Sequence, residues 1–241
     1  MIQLDKIDDV FTLTMDDGEN RWNTTFVREM VKALDEVEAS KGPAALVTLS
    51  SNPKFFSNGL DLDWVSAPQE HPKGGDYAVF GEEFMALMGR IITLPLPTVC
   101  AINGHAFGAG FMMALCQDVR LMRADRGFIC ANEMQLGLTI PNPELALFYH
   151  KLPANTFFET VQLAKRWTGP EALAAGIVQQ TAGIDDLTAA ALQRAQVLSP
   201  LGANRALYGG QKERLFGKNA VLNNPHGAAH LLKHSAEYSS H

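Results

Sequence analysis

The stretch that decides the fold is Ile102-Asn103-Gly104-His105-Ala106-Phe107-Gly108-Ala109-Gly110-Phe111-Met112. It joins two apolar segments, and its pattern predicts a strand, a glycine-rich turn and the start of a helix. Three glycines in seven residues let the backbone approach a ligand closely, and a helix start directs free N–H groups at an anion or oxyanion. The order Gly-x-x-x-Gly-x-Gly differs from the dinucleotide-binding fingerprint. Taken alone, the glycines are equally consistent with tight packing and no ligand.

Strand and helix patterns alternate on either side of this stretch. Val10–Met15 alternates as a strand, and apolar residues at helical spacing predict a helix that is capped by Thr24 or Thr25 and ends near Gly42. Ala44–Leu49 follows as a buried strand, which completes a β-α-β unit and indicates parallel strands. The sequence also predicts strands at 98–102, 119–122 and 128–131 and helices at 80–92, 110–115, 156–164, 170–175, 188–198 and 203–215.

The order of these elements predicts an α/β fold. Strands lie mainly in the first part of the chain and helices in the last part, as expected for a core domain over residues 1–200. Residues 201–241 are predicted to form a helical C-terminal segment that packs on the core or on a neighbouring subunit.

Composition excludes several classes of function. Of the 241 residues, 46% are hydrophobic, which is enough for a large core, yet no apolar run approaches the ~20 residues of a membrane-spanning helix. The N-terminus has an acidic residue where a signal peptide needs an apolar run, so we expect a cytoplasmic protein, with an organelle left open. A net charge of -6 argues against nucleic acid as a partner. The three cysteines lack metal-site spacing, and we expect buried thiols and no metal.

A second junction precedes the first along the chain: Phe55-Phe56-Ser57-Asn58-Gly59-Leu60-Asp61-Leu62. Its Asn-Gly pair is by itself an ordinary turn signal. Together and in this order, the two junctions resemble the two oxyanion-hole motifs of the crotonase (enoyl-CoA hydratase/isomerase) family. Three further segments resemble later elements of that family, namely Gln117–Arg120, Asn132–Gly137 and Thr168–Val178. The resemblance covers about residues 8 to 200.

The resemblance implies a crotonase-like ββα superhelix and an acyl-CoA thioester substrate. It implies that the backbone N–H groups of Leu60 and Ala109 form an oxyanion hole for the thioester carbonyl. Coenzyme A is then part of the substrate, so no separate cofactor is expected. Because members of the family are usually trimers or hexamers, the resemblance also implies a homotrimer or hexamer. The residues implied to contact the substrate or its CoA moiety are Phe56, Ser57, Asn58, Gly59, Gly108 and Met112, although Phe56 is equally consistent with plain core packing.

The carboxylates favour one reaction of the family over another. Members that hydrate a double bond carry two glutamates, and the matching positions here are Met112 and Glu133. Hydration requires a water to be positioned and deprotonated while a proton is delivered to carbon, which suits two carboxylates. Moving a double bond needs only one, since a single base can carry the proton from C2 to C4. The local sequence around Glu133, Asn-Glu-x-Gln-Leu-Gly, also resembles that of the plant-type Δ3,Δ2-enoyl-CoA isomerases. The sequence therefore predicts an isomerase with Glu133 as its proton shuttle.

Other interpretations stay open at this point. Glu144, which follows Pro141-Asn142-Pro143, is a minor candidate for a second acid. A hydratase, or another crotonase reaction that uses Glu133 or Glu144, is the main alternative. A non-catalytic acyl-CoA-binding protein is a third hypothesis. We interpret Asp118 and His105 as structural residues that make hydrogen bonds.

Overall fold

The computed structural model describes residues 1–66, 77–218, 220 and 226–238. Its strands are β1 (Ile2–Ile7), β2 (Val10–Met15), β3 (Ala45–Ser50), β4 (Phe55–Ser57), β5 (Thr98–Ile102), β6 (His105–Phe107), β7 (Val119–Arg123), β8 (Ile129–Cys130) and β9 (Gln180–Ala182). Its helices are α1 (Thr24–Ala39), α2 (Leu62–Ser66), α3 (Phe80–Ile92), α4 (Ala109–Cys116), α5 (Asn142–Lys151), α6 (Ala154–Val161), α7 (Gly169–Ala174), α8 (Ile184–Leu198), α9 (Arg205–Phe216), α10 (Ala228–Lys233) and α11 (Ser235–Tyr238). Short 3-10 turns cover Glu133–Leu136 and Ser199–Ala203.

The strands divide between two sheets. The larger sheet has the order β1-β2-β3-β5-β7-β9, with β1 antiparallel to β2 and the other pairs parallel. The smaller sheet has the order β4-β6-β8 and is parallel. Strands β3, β5 and β7 of the larger sheet are each followed along the chain by a strand of the smaller one, and then by helical structure. This repeated unit winds the chain into a ββα superhelix.

Helix α1 packs on the core through the apolar face that its sequence pattern predicts. Its apolar residues recur every three or four positions, and the resulting face is buried in the main core. The predicted cap at Thr24 or Thr25 is wrong, and the cap lies one or two residues earlier. Asn23 has an extended backbone and its Oδ1 accepts the N–H of Phe26 at 3.0 Å, whereas Thr24 is buried as the first helical residue.

The C-terminal segment packs on the core of the same chain. Helix α10 lies against α3 and α5, and its Ala228, Ala229 and Leu232 are buried in the main core. The contact with α3 is close, because a Cβ at Gly89 would lie 2.7 Å from Cγ of Lys233. Residues 219, 221–225 and 239–241 lie outside the described part of the chain. The proposed boundary at residue 200 therefore stays a prediction.

Two partly buried polar residues, Asp118 and His105, have specific hydrogen-bond partners. Oδ2 of Asp118 accepts the N–H of Thr98 at 2.9 Å and the hydroxyl of Tyr208 at 3.0 Å, and it pairs with Nζ of Lys212 at 2.9 Å. Nδ1 of His105 accepts the N–H of Phe128 at 3.2 Å. Both residues therefore stabilise the fold. Within the described residues, no helix combines the length and apolar character that crossing a membrane requires.

Candidate active site

The two glycine-containing junctions are in direct contact. Gly59 has φ +79°, and a Cβ there would lie 2.8 Å from the carbonyl oxygen of Phe107 and 3.9 Å from the backbone nitrogen of Ala109. A Cβ at Gly110 would lie 2.6 Å from Cβ of Ser57. Only glycine allows this approach without displacing backbone. The glycines therefore bring the start of α4 against the loop that follows β4.

The backbone of Leu60 is oriented by its pairing with Trp22. The N–H of Trp22 donates to the carbonyl of Gly59 at 2.9 Å, and the N–H of Asp61 donates to the carbonyl of Trp22 at 3.0 Å. In such a parallel pairing the bonds of one residue go to the neighbours on either side of its partner. The N–H of Leu60 therefore points away from Trp22.

The backbone N–H of Ala109 is also left unused by regular structure. Ala109 is the first residue of α4, and the N–H of a first helical residue has no acceptor within its helix. Ala109 and Leu60 line the same cavity, which has a volume of about 390 Å³. The structure thus brings the two expected donors together. Their role towards a thioester oxygen stays a prediction.

The walls of this cavity are mostly apolar, with a few polar groups that converge on it. The apolar side chains come from Leu60, Leu62, Phe80, Phe84, Met85, Met112, Leu136, Leu138 and Pro141. The polar ones come from Arg21, Asn58, Asn132, Glu133, Thr139 and Glu144. An apolar cleft with few polar groups is the usual form of a small-molecule site.

Glu133 is the first of two carboxyl groups in the cavity. It begins the 3-10 turn after β8 and is half-buried. Its Oε2 is buried and has no hydrogen-bond partner among the described residues. Burial raises the pKa of Glu133 above its ordinary value because the charged form loses its hydration. A carboxylate that has one buried oxygen without a donor and a raised pKa is a stronger base than a solvated one.

Glu144 is the second carboxyl group, and it lies in the first turn of α5. Burial raises the pKa of Glu144 to about 8, and repulsion by the charge on Glu133 contributes further. Burial therefore favours the protonated form of both groups, and Glu144 keeps its proton at neutral pH. Two carboxyl groups with raised pKa values in one cavity are typical of functional sites.

The remaining predicted residues fall into two sets. Asn58, Gly59, Gly108 and Met112 line the cavity. The side chains of Phe56 and Ser57 are fully buried beneath the loop instead. Oγ of Ser57 donates to the carbonyl of Asn20 at 2.7 Å and accepts Nε1–H of Trp22 at 3.0 Å, which fixes the loop in place. The buried positions of these two side chains indicate that they support the loop. Contact of Phe56 or Ser57 with CoA stays a prediction.

Several cavity residues were not found from the sequence. Arg21 lies in the turn before α1 and pairs with Glu19 at 2.8 Å and with Asp63 at 3.1 Å. Phe80 and Phe84 belong to the apolar face of α3, and periodicity does not separate a residue that faces a cavity from one in the core. Asn132 precedes Glu133 and could have been found from that adjacency.

The sequence profile of a known family matches most of the chain. The profile described as enoyl-CoA hydratase/isomerase matches residues 6–207. The chain belongs to the enoyl-CoA hydratase/isomerase family. A peroxisomal enoyl-CoA delta isomerase 2 of Arabidopsis thaliana is 32% identical over 185 residues, covering 76% of this chain and 77% of the relative. The peroxisomal enoyl-CoA delta isomerase 1 of the same plant is 30% identical over 221 residues, covering 90% of each.

Solved structures of enoyl-CoA hydratase/isomerase family members share the fold. A probable enoyl-CoA hydratase of Mycobacterium tuberculosis superposes with a TM-score of 0.77 at 25% identity, covering 88% of this chain and 87% of that one. An enoyl-CoA hydratase of Mycobacterium marinum gives a TM-score of 0.79 at 23% identity, covering 98% and 99%. The predicted crotonase-like α/β fold is confirmed.

Proposed function

We propose that this family member is an enoyl-CoA delta-isomerase that moves the double bond of a 3-enoyl-CoA to the 2-position. The observation that carries the proposal is the pairing of Glu133 with Met112 on the walls of one cavity. Glu133 supplies a base with a raised pKa. Met112 cannot exchange protons, and it occupies the position that matches the other glutamate of hydrating members.

The proposed mechanism uses the backbone of two residues and the side chain of a third. The thioester oxygen accepts hydrogen bonds from the backbone N–H groups of Leu60 and Ala109. Glu133 removes a proton from C2, and the electron pair moves towards the thioester oxygen to give a dienolate. Glu133 then returns the proton to C4, and the double bond re-forms between C2 and C3. Each N–H donor is worth about 3 kcal/mol of the barrier. The proposed reaction needs no separate cofactor, because CoA is carried by the substrate.

A hydratase is the second candidate, and one specific observation favours it. Glu144 places a second carboxyl group in the cavity, although at a different position from that of hydrating members. The main argument against a non-catalytic binding protein is Glu133, because a buried carboxylate oxygen without a hydrogen-bond partner, such as its Oε2, costs stability and has no use in simple binding.

The test is a parallel assay of purified protein with a 3-enoyl-CoA and the matching 2-enoyl-CoA. Isomerisation creates a conjugated thioester and raises its ultraviolet absorbance, whereas hydration of the 2-enoyl-CoA removes that absorbance. We expect rapid conjugation of the 3-enoyl-CoA and little loss of the 2-enoyl-CoA to hydration. Rapid hydration together with an unchanged 3-enoyl-CoA would show that the proposal is wrong.

Assembly and cellular location remain proposals. We expect a homotrimer or hexamer, and exposed apolar side chains such as Tyr149, Phe158 and Leu163 are consistent with a subunit interface. Light scattering on the purified protein would give the oligomer size. A cytoplasmic location stays a prediction that fractionation of cells would test.

A further inference from the structure

Glu144 has no task in the proposed isomerisation, yet it faces the reaction cavity. It lies on the first turn of α5, on the cavity wall that also includes Pro141, Thr139 and Leu138. In the part of the chain that the structure describes, Glu144 makes no hydrogen bond or ion pair. Among the described residues, the charge on Glu133 acts on Glu144, and its effect is repulsive.

A comparison with Asp118 argues against a structural role for Glu144. Asp118 is a partly buried acid that stabilises the fold, and its carboxylate interacts with Thr98, Tyr208 and Lys212. A carboxyl group that stabilises a fold usually has such partners, because a buried polar group without one costs free energy. Glu144 is only partly buried and lacks such partners among the described residues, so its carboxyl group is open to solvent in the cavity. A bound substrate that displaces this solvent must supply a partner in its place.

The protonation state fixes what that partner must be. A protonated carboxyl group offers one O–H donor, and Glu144 keeps its proton at neutral pH. Methylene groups of a plain hydrocarbon chain would exclude water from Glu144 without accepting this bond, whereas an oxygen atom would accept it. Sites with a buried hydrogen-bonding group reject ligands that leave the group unpaired.

We propose that Glu144 is a specificity-determining residue that donates a hydrogen bond to an oxygen atom on the acyl chain, so that the preferred substrates are oxygenated acyl-CoA thioesters. This rests on the proposed function for the direction of the bound acyl chain. The C1 oxygen is held by Leu60 and Ala109, and C2 to C4 face Glu133. The oxygen that meets Glu144 therefore lies beyond C4, as a hydroxyl or carbonyl group.

The experiment measures binding of unreactive probes to the full-length protein by calorimetry. The probes are hexanoyl-CoA and its 5-hydroxy and 6-hydroxy derivatives, and the proteins are the wild type, Glu144→Gln and Glu144→Leu. We expect the wild type to bind one hydroxylated probe about 10-fold more tightly than hexanoyl-CoA. Glu144→Gln retains a donor of similar size and should keep most of this preference. Glu144→Leu should lose the preference and bind hexanoyl-CoA more tightly.

The outcomes separate this inference from the proposed function. Equal binding of all three probes by the wild type would overturn the inference, and so would a preference that survives in Glu144→Leu. Neither result depends on turnover, because the probes have no double bond. If Glu144→Leu does not fold, Glu144→Met takes its place as the variant without a hydrogen-bond donor, and the same expectations apply to it. A Glu144-dependent preference in a protein that fails to isomerise 3-enoyl-CoA would support the inference and refute the proposed reaction.

Discussion

A Cβ at Gly108 would lie 3.0 Å from Oε1 of Glu133. It would also lie 3.6 Å from Oδ1 of Asn132. Gly108 has φ +46°, a conformation that residues with a side chain rarely adopt. The glycine before α4 therefore has two roles, since it turns the chain into the helix and leaves room for the carboxylate of the proposed base.

The first prediction concerns Gly108→Ala. The added methyl group should displace Glu133, and a displacement of about 1 Å in a reacting group lowers turnover by roughly 10- to 100-fold. Gly42→Ala is the matched control, because Gly42 has φ +81° but nothing within 4 Å of the added atom. It should cost about 1 kcal/mol of stability and leave kcat unchanged. Measurements of kcat and Tm on both variants check this, and equal loss of activity in the two would contradict it.

The second prediction concerns the backbone donor at Ala109. Ala109→Gly retains the N–H and should keep most of the activity. Ala109→Pro removes the N–H at a first helical position, where proline is otherwise tolerated, and should lower kcat by about 100-fold. Circular dichroism and CoA binding control for folding. Equal loss of activity in two folded variants would argue against an oxyanion role.

The elements that were predicted well have clean periodicity over several residues. Helix α3 and strand β5 have the predicted limits, because apolar spacing and flanking prolines define them locally. Strands β6 and β8 are three and two residues long, which is too short for a reliable pattern. Helix α5 was not among the predicted elements. Pro141 and Pro143 stand at its start, where proline is compatible with the first turn of a helix.

The site residues that belong to sequence motifs could be predicted. The two junctions and the segment around Glu133 led to Leu60, Ala109 and Glu133, which the structure places at one cavity. The rest of the lining includes residues of α3 and residues 138, 139 and 141, which no local motif marks. Glu144 could be ranked only as a minor candidate, since its burial depends on how α5 packs, and α5 itself was not predicted.

The third prediction concerns Glu133 as the base. Glu133→Gln keeps the size of the side chain but removes the base, so turnover should fall by at least ~100-fold while CoA binding persists. In the wild type, kcat/KM should fall as pH is lowered through the pKa of Glu133, which burial raises above 4.5, because only the ionised form accepts a proton. Full activity of Glu133→Gln, or a rate that rises on acidification, would exclude this role.

The last prediction concerns stability and the raised pKa of Glu144. In the unfolded chain this carboxyl group should lose its proton near its ordinary pKa of 4.5, whereas in the folded protein it does so at about 8. Below pH 4.5 both states are protonated and the group carries no penalty. As pH rises from there to about 8, the unfolded state ionises first, so the free energy of unfolding falls and then levels off.

The side chain of Glu144→Gln does not ionise, so the free energy of unfolding of this variant should not fall in this way as pH rises. Relative to the wild type, it should therefore gain roughly 2–4 kcal/mol between pH 4.5 and pH 9. Urea unfolding at a series of pH values measures the difference. Glu36→Gln, which removes an exposed carboxylate on α1, is the control and should follow the wild-type curve. Because repulsion by Glu133 contributes to the shift, the same substitution in a Glu133→Gln background should give a smaller gain. Parallel pH curves for wild type and Glu144→Gln would mean that Glu144 is ionised in the folded protein at neutral pH.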